Sequence, residues 1–153
     1  MGMDVLGKDP KSRKGEYFRN NVWWWRPLWE YVVSVCDDVL TKQDAGEGHL
    51  NNGHEISARK VQQIAARLSE LLTSGEVNRY EHEYRAALAT LPLRPCEHCT
   101  GTGTRNDQSG KGKCNGCGGR SKREAWATHY PFSADNVREF AEFCAHSGGF
   151  RIH

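Results

Sequence analysis

Two Cys-x-x-Cys turns, Cys96-Glu-His-Cys99 and Cys114-Asn-Gly-Cys117, stand 14 residues apart in a chain of 153 residues. Each turn can present two thiolates to one ion, and a loop of this length lets the turns face each other. The spacing therefore predicts one structural Zn2+ held tetrahedrally by Cys96, Cys99, Cys114 and Cys117. Gly101, Gly103, Gly116, Gly118 and Gly119 suit the tight backbone around such knuckles. Four thiolates fill the coordination shell, so the metal is expected to support folding and not hydrolysis. His98, inside the first turn, is expected to face solvent as a bystander. Structural zinc contributes on the order of 10 kcal/mol in small fingers, comparable to the stability of a whole small domain.

The rest of the chain explains why such reinforcement is needed. Hydrophobic residues make up 37% and mean hydropathy is -0.75, which leaves a small apolar core. Five Trp, five Tyr and five Phe compensate, because large aromatics bury much surface each. Length and pattern predict an α+β, mainly helical fold: a single small domain over 1–153 with a zinc-knuckle insertion at 94–121. The formal charge of +2, from 21 basic and 19 acidic residues, gives no general argument for nucleic-acid binding. No apolar run is long enough to span a bilayer, no secretory signal opens the chain, and Leu6 breaks the myristoylation pattern. A cytoplasmic protein is expected.

Periodicity places a helix over 26–40, with Leu28, Tyr31, Val32, Val35 and Val39 as its apolar stripe and Pro27 in its first turn. Residues 41–56 read as a polar loop. Ser57 is the expected N-cap of a helix that buries Val61, Ile64, Ala65, Leu68, Leu71 and Leu72 and stops at Gly75. A further helix is expected over 76–91. Residues 126–132 read as extended, Ser133 as another N-cap, and 150–152 as a short closing strand. Cys36 and Cys144 fall on apolar helix faces, as inert buried thiols do.

Trp23, Trp24, Trp25 and Trp29 fall within seven positions. Three consecutive Trp cannot all face one core, because neighbours on a helix or strand point to different sides. At least one is expected to line a groove, a partner surface or a second small core. Arg19, Asn20, Asn21 and Arg26 flank the rings, and Asn51 lies in a glycine-rich loop with His49 and His54. Arg19 and Arg26 suit phosphate, Trp24 or its neighbours suit stacking on a base, and Asn20, Asn21 and Asn51 suit hydrogen bonds. The competing reading has the rings filling space, the arginines stacked on them and Asn20 capping a turn. His49 and His54 lack partners at metal-ligand spacing and read as ordinary loop histidines.

Two resemblances bear on these segments. Cys96-Glu-His-Cys99-Thr-Gly101-Thr-Gly103 resembles the Cys-x-x-Cys-x-Gly-x-Gly knuckle of DnaJ-type chaperones, and residues 114–121 match it except that Ser121 replaces the last glycine. That chaperone region carries four knuckles and two zinc ions, whereas two knuckles imply one. The J-domain signature His-Pro-Asp does not occur, so the resemblance implies metal geometry alone. The stretches Met1-Gly-Met-Asp-Val5, Gly15 through Trp29, Tyr130 through Phe143 and Ser147 through Phe150 resemble a family of small proteins found in bacteriophages and prophage regions. This implies a viral accessory protein acting in the bacterial host cytoplasm. Such proteins often block host defence, some by sequestering nucleotide second messengers.

No phosphate-binding loop, nucleophile elbow or His-Glu-x-x-His motif is present, so an enzyme is not expected. The expected function is a non-catalytic, zinc-stabilised phage protein that binds a small nucleotide-like ligand, as an anti-defence sponge. The alternative is an adaptor that grips a host protein or nucleic acid through its zinc knuckles and Trp-rich surface. Surplus exposed Trp also allows a homo-oligomer interface.

Overall fold

A computed structural model describes residues 2–108 and 110–153. In chain order the elements are β1 (Gly2–Gly7), a 3-10 turn (Arg13–Gly15), β2 (Tyr17–Asn21), α1 (Val22–Val35), α2 (Lys42–Glu47) and β3 (Glu55–Ile56). They continue with α3 (Ala58–Thr73), α4 (Glu76–Ala89), β4 (Arg94–Pro95), β5 (Thr104–Asp107), β6 (Gly110–Lys113) and β7 (Lys122–Arg123). A 3-10 turn (Trp126–His129), α5 (Ala134–Ser147) and β8 (Phe150–Ile152) complete the chain. The fold is mixed α+β and mainly helical, with the four cysteines clustered. Contacts divide it into two compact units, one of Met1–Arg85 with Tyr130–His153 and one of Ala86–His129. The second unit extends beyond the expected 94–121 segment at both ends.

In the first unit an antiparallel sheet runs in the order β2-β1-β8-β3. Strict alternation sends Met3, Val5, Phe18, Phe150 and Ile152 into the core, while Asp4, Leu6, Tyr17, Arg19 and Arg151 take the other face. The strands β1 and β2 lie in a segment whose Gly2, Gly7, Pro10 and Gly15 make regular helix improbable before about residue 16. They hold because β1 is flanked on both sides, by β2 and by β8. The expected closing strand is the one that joins β1 to β3.

Helix α1 begins at Val22, four residues before the expected start, because Asn21 caps it. The Asn21 side chain accepts from the amides of Trp23 (3.0 Å) and Trp24 (3.1 Å). Pro27 therefore lies inside the helix, beyond the first turn. The helix stops at Val35, short of residue 40, where Cys36 leaves helical geometry and its carbonyl accepts from Val39 and Leu40. Helices α3 and α5 form where their caps predict: Ser57 accepts from Lys60, and Ser133 from Asn136. They pack on each other and bury Val61, Ile64 and Leu68 against the α5 face of Val137, Phe140, Ala141 and Cys144. From α4, Tyr80 and Tyr84 join Tyr31 and Phe132 in an aromatic group with ring centroids 4.7 to 6.0 Å apart. Residues 126–129 form a 3-10 turn and not an extended segment, with the Thr128 amide and hydroxyl both turned onto Ala125 O.

The expected loop 41–56 contains α2 and β3. Thr41 and Asp44 form a reciprocal capping box, which makes so short a helix stable in place. Asp44 is 5% exposed and is more than a cap. Its carboxylate accepts from the Thr41 amide and hydroxyl, meets Lys60 Nζ, and lies 3.0 Å from His54 Nε2. Burial opposes its charge, but these partners outweigh burial and hold its pKa well below the usual carboxylate value. A group depressed in the folded state contributes stability above its unfolded pKa, near 3.9, and loses that contribution as pH falls below it. Asp44→Ala should cost about 3 kcal/mol in urea unfolding at neutral pH, since it strands Lys60 and His54. Asp44→Asn should flatten the acid limb of the stability profile between about pH 4 and pH 2.

Candidate functional site

Cys96, Cys99, Cys114 and Cys117 are buried, and their four Sγ atoms all lie within 4.8 Å of one another. Cys96 Sγ is 3.9 Å from Cys114 Sγ, and Cys99 Sγ is 3.8 Å from Cys117 Sγ. These separations are far beyond a disulfide bond of about 2.05 Å. Four soft donors converge on one point, an arrangement that can hold a metal ion. Burial raises the Cys96 thiol to about 11. At Cys99 burial acts in the same direction, but the Gly103 amide, 3.2 Å from its sulfur, and the neighbouring thiols bring it to about 6. Among the described residues this is the one group of three or more His, Cys, Asp or Glu arranged to hold a metal. His98 is exposed, over the space that a side chain at Gly116 would need.

The two knuckles repeat each other about an approximate two-fold. Backbone φ angles match position by position: Thr100 (50°) with Gly118 (60°), Gly101 (83°) with Gly119 (87°), and Gly103 (76°) with Ser121 (62°). The first cysteine of each knuckle donates its amide to the last residue of the other, Cys96 N to Ser121 O and Cys114 N to Gly103 O, both at 2.9 Å. Flanking strands exchange in the same sense. β4, before the first knuckle, pairs with β7, after the second, and β6 pairs with β5. Ser121, which replaces the glycine of the knuckle pattern, thus keeps the left-handed backbone that glycine would favour.

The proposed ligand contacts are distributed over several structural tasks. Arg19 lies 3.5 Å from Asp4 on the open face of the sheet. Asn20 donates to Asn136 Oδ1 at 2.9 Å, and Asn136 Nδ2 reaches Trp24 O at 3.5 Å, so α5 draws Asn20 and Trp24 together. Asn21, not Asn20, is the cap of α1. Asn51 donates to Gly2 O. Arg26 is exposed, with its guanidinium 5.8 Å from the centre of the Tyr130 ring. The four Trp divide as their helical spacing requires. Trp25 and Trp29 are fully buried, Trp24 is half-buried, and Trp23 is 39% exposed with its ring 4.9 Å from Tyr130. Tyr130 and Asn136 had no sequence signal as partners of this segment, because they are more than 100 residues away. His54 and Lys60 likewise acquire a role only through Asp44. His49 is half-buried, and burial lowers its pKa.

No family model, curated protein or solved structure matches this chain. The geometry is therefore the ground for any functional reading. Among the described residues no helix is long and apolar enough to cross a membrane.

The repeat makes a paired prediction. Ser121→Gly should relieve a left-handed non-glycine residue and stabilise the knuckle unit by up to about 1 kcal/mol. Gly103→Ala, at the equivalent position, should destabilise it, because a Cβ would come 2.7 Å from Gly119 O. Resistance to a metal chelator, measured as the midpoint concentration for loss of metal, should rise for the first variant and fall for the second.

Proposed function

We propose that this chain is a non-catalytic binding protein in which zinc occupies the four-cysteine centre and a small nucleotide-like ligand is received at the Trp23, Arg26 and Tyr130 surface. The observation that carries the ligand reading is the pairing of an exposed indole with a phenol ring and a guanidinium on one surface. Such a set offers a stacking face for a base and a positive charge for phosphate. It replaces most of the contacts drawn from the sequence, since Arg19, Asn20, Asn21 and Asn51 each have a partner within the fold. Within the context implied by the phage resemblance, the activity would be sequestration of a defence signalling nucleotide in the bacterial host cytoplasm.

Zinc is supported by size and chemistry. A tetrahedral ion with metal–sulfur bonds of about 2.3 Å sets sulfur atoms about 3.8 Å apart, close to the observed separations. Its full thiolate shell supports a structural role. The two remaining thiols are fully buried, and burial pushes Cys36 up to about 11 and Cys144 upward as well, so neither is set up as a nucleophile.

Native mass spectrometry of the reduced protein should find one zinc ion per chain. Removing it should release the Cys96 and Cys114 amides to rapid hydrogen exchange while the β1 and β8 ladder stays protected. A chain purified without metal, or exchange unchanged on chelation, would overturn the zinc assignment. For the ligand, calorimetry against cyclic and ADP-ribose-derived nucleotides should show binding by at least one member. Trp23→Ala and Arg26→Ala should each weaken it about tenfold, the equivalent of about 1.4 kcal/mol. Silence across the whole panel would sink the ligand reading.

A further inference from the structure

We infer that the knuckle unit carries a second, separate binding surface, for single-stranded nucleic acid, with Trp126 as its stacking ring and Lys111, Lys113, Lys122 and Arg123 as its phosphate contacts. The near-neutral charge of the whole chain hides a sharp division. Residues 86–129 hold seven basic and three acidic side chains, whereas the first unit holds 14 basic and 16 acidic. Even after the two negative charges of a filled tetrathiolate centre, the knuckle unit stays basic and the first unit stays acidic.

Within the knuckle unit the basic residues fall into two sets. Arg94, Arg105 and Arg120 are engaged locally. Arg94 meets Glu97 and Glu124 O, Arg105 lies 3.9 Å from Asp107, and Arg120 bonds Cys117 O. Among the described residues no acidic side chain lies within ion-pair distance of Lys111, Lys113, Lys122 or Arg123. The first two alternate with glycines along β6, whose four residues are all exposed, so both project to the same face of the hairpin. A hollow of about 610 Å³ on this hairpin is lined by Arg105, Lys111 and Lys113 among others. The other two lie on β7, whose Arg123 pairs in register with Arg94 on β4.

Trp126 adds what a merely solvated basic surface would lack. It is 50% exposed, and the Arg94 guanidinium lies 4.3 Å from its ring centre, fixing the indole beside the β4–β7 ladder. A ring held in this way can stack on an unpaired base, whereas the bases of a duplex are already stacked on one another. Cations with no acidic side chain at ion-pair distance among the described residues, together with a fixed exposed indole, match a single strand better than an acidic protein surface or a duplex. The surface shares no residue with the Trp23 and Arg26 site, so the two readings stand or fall separately.

The test is fluorescence anisotropy of a dye-labelled, mixed-sequence single strand with the zinc-loaded full chain, across a salt series. Binding should weaken steeply with salt. Replacing Lys111, Lys113, Lys122 and Arg123 by Gln should reduce the log–log salt slope by about 3, if each side chain neutralises one phosphate. Trp126→Ala should weaken binding roughly tenfold, and Trp126→Phe should restore most of it. Every variant is compared at full zinc content, which separates lost contacts from an unfolded knuckle. Absence of binding at low salt, a salt slope unaltered by the four substitutions, tighter binding of the matching duplex, or equal competition by a polyglutamate peptide would each overturn the inference.

Discussion

The first unit is organised around the stacked pair Trp25 and Trp29, whose rings are 5.5 Å apart and nearly parallel. Both are fully buried, and both indole N–H groups need acceptors that helix α1 cannot supply. Those acceptors come from the α2 segment: Trp25 Nε1 donates to Gly48 O at 2.8 Å and Trp29 Nε1 to Ala45 O at 3.1 Å. Even one added carbon at Gly48 would come 2.1 Å from the Trp29 ring, so the backbone itself is the wall of this packing. The short helix α2 is in turn tied by Asp44 to His54 and to Lys60 on α3. Phe140 of α5 completes the group edge-on to Trp25. Two indoles thus join α1, α2 and α5, and Asp44 extends the link to α3.

The knuckle unit lacks such a centre. Among its described residues the buried hydrophobic cluster consists of the four cysteines alone. Without an apolar core, ordering two glycine-rich turns and two short ladders has little to offset its entropy. Coordination of a metal by the four cysteines, as proposed above, would supply the missing term, and the approximate two-fold shows how. Each half donates an amide and a strand to the other, so neither knuckle is complete alone. The two units therefore differ in what gathers at their centres, aromatic rings in one and four cysteines in the other.

This division shapes the binding surfaces proposed above. Where an aromatic pair fills the core, Trp24 is half-buried and Trp23 is left at the surface beside Tyr130. Where four cysteines stand in place of an apolar core, the other apolar and basic side chains of the unit have no interior to enter. Trp126 and the lysines of β6 accordingly stay exposed. The chain's polar composition is thus compatible with order because large aromatic rings fill much of the first unit's interior and the second unit's buried cluster is four cysteines.

Local signals were legible wherever the responsible atoms are neighbours in the chain. The cysteine spacing located the four-thiol cluster, Ser57 and Ser133 located helix starts, and the periodic Val61, Ile64 and Leu68 face marked the side of α3 that is buried. The run of Trp also carried a valid geometric limit, since adjacent helical positions diverge. What it lacked was the direction of each ring, because that depends on α2 carbonyls and on Asn136, far along the chain. The strands β1 and β2 were hidden for a similar reason: short alternations among glycines gain stability only from β8, at the other end of the sequence. Asp44 read as a loop carboxylate until folding surrounded it with Thr41, His54 and Lys60. The sequence by itself determined which four cysteines cluster as candidate metal ligands and where the helix caps fall, where geometry is set within a few residues. Tertiary structure alone decided which rings are core and which are surface, because that choice follows from hydrogen-bond partners and strand neighbours that only long-range packing supplies.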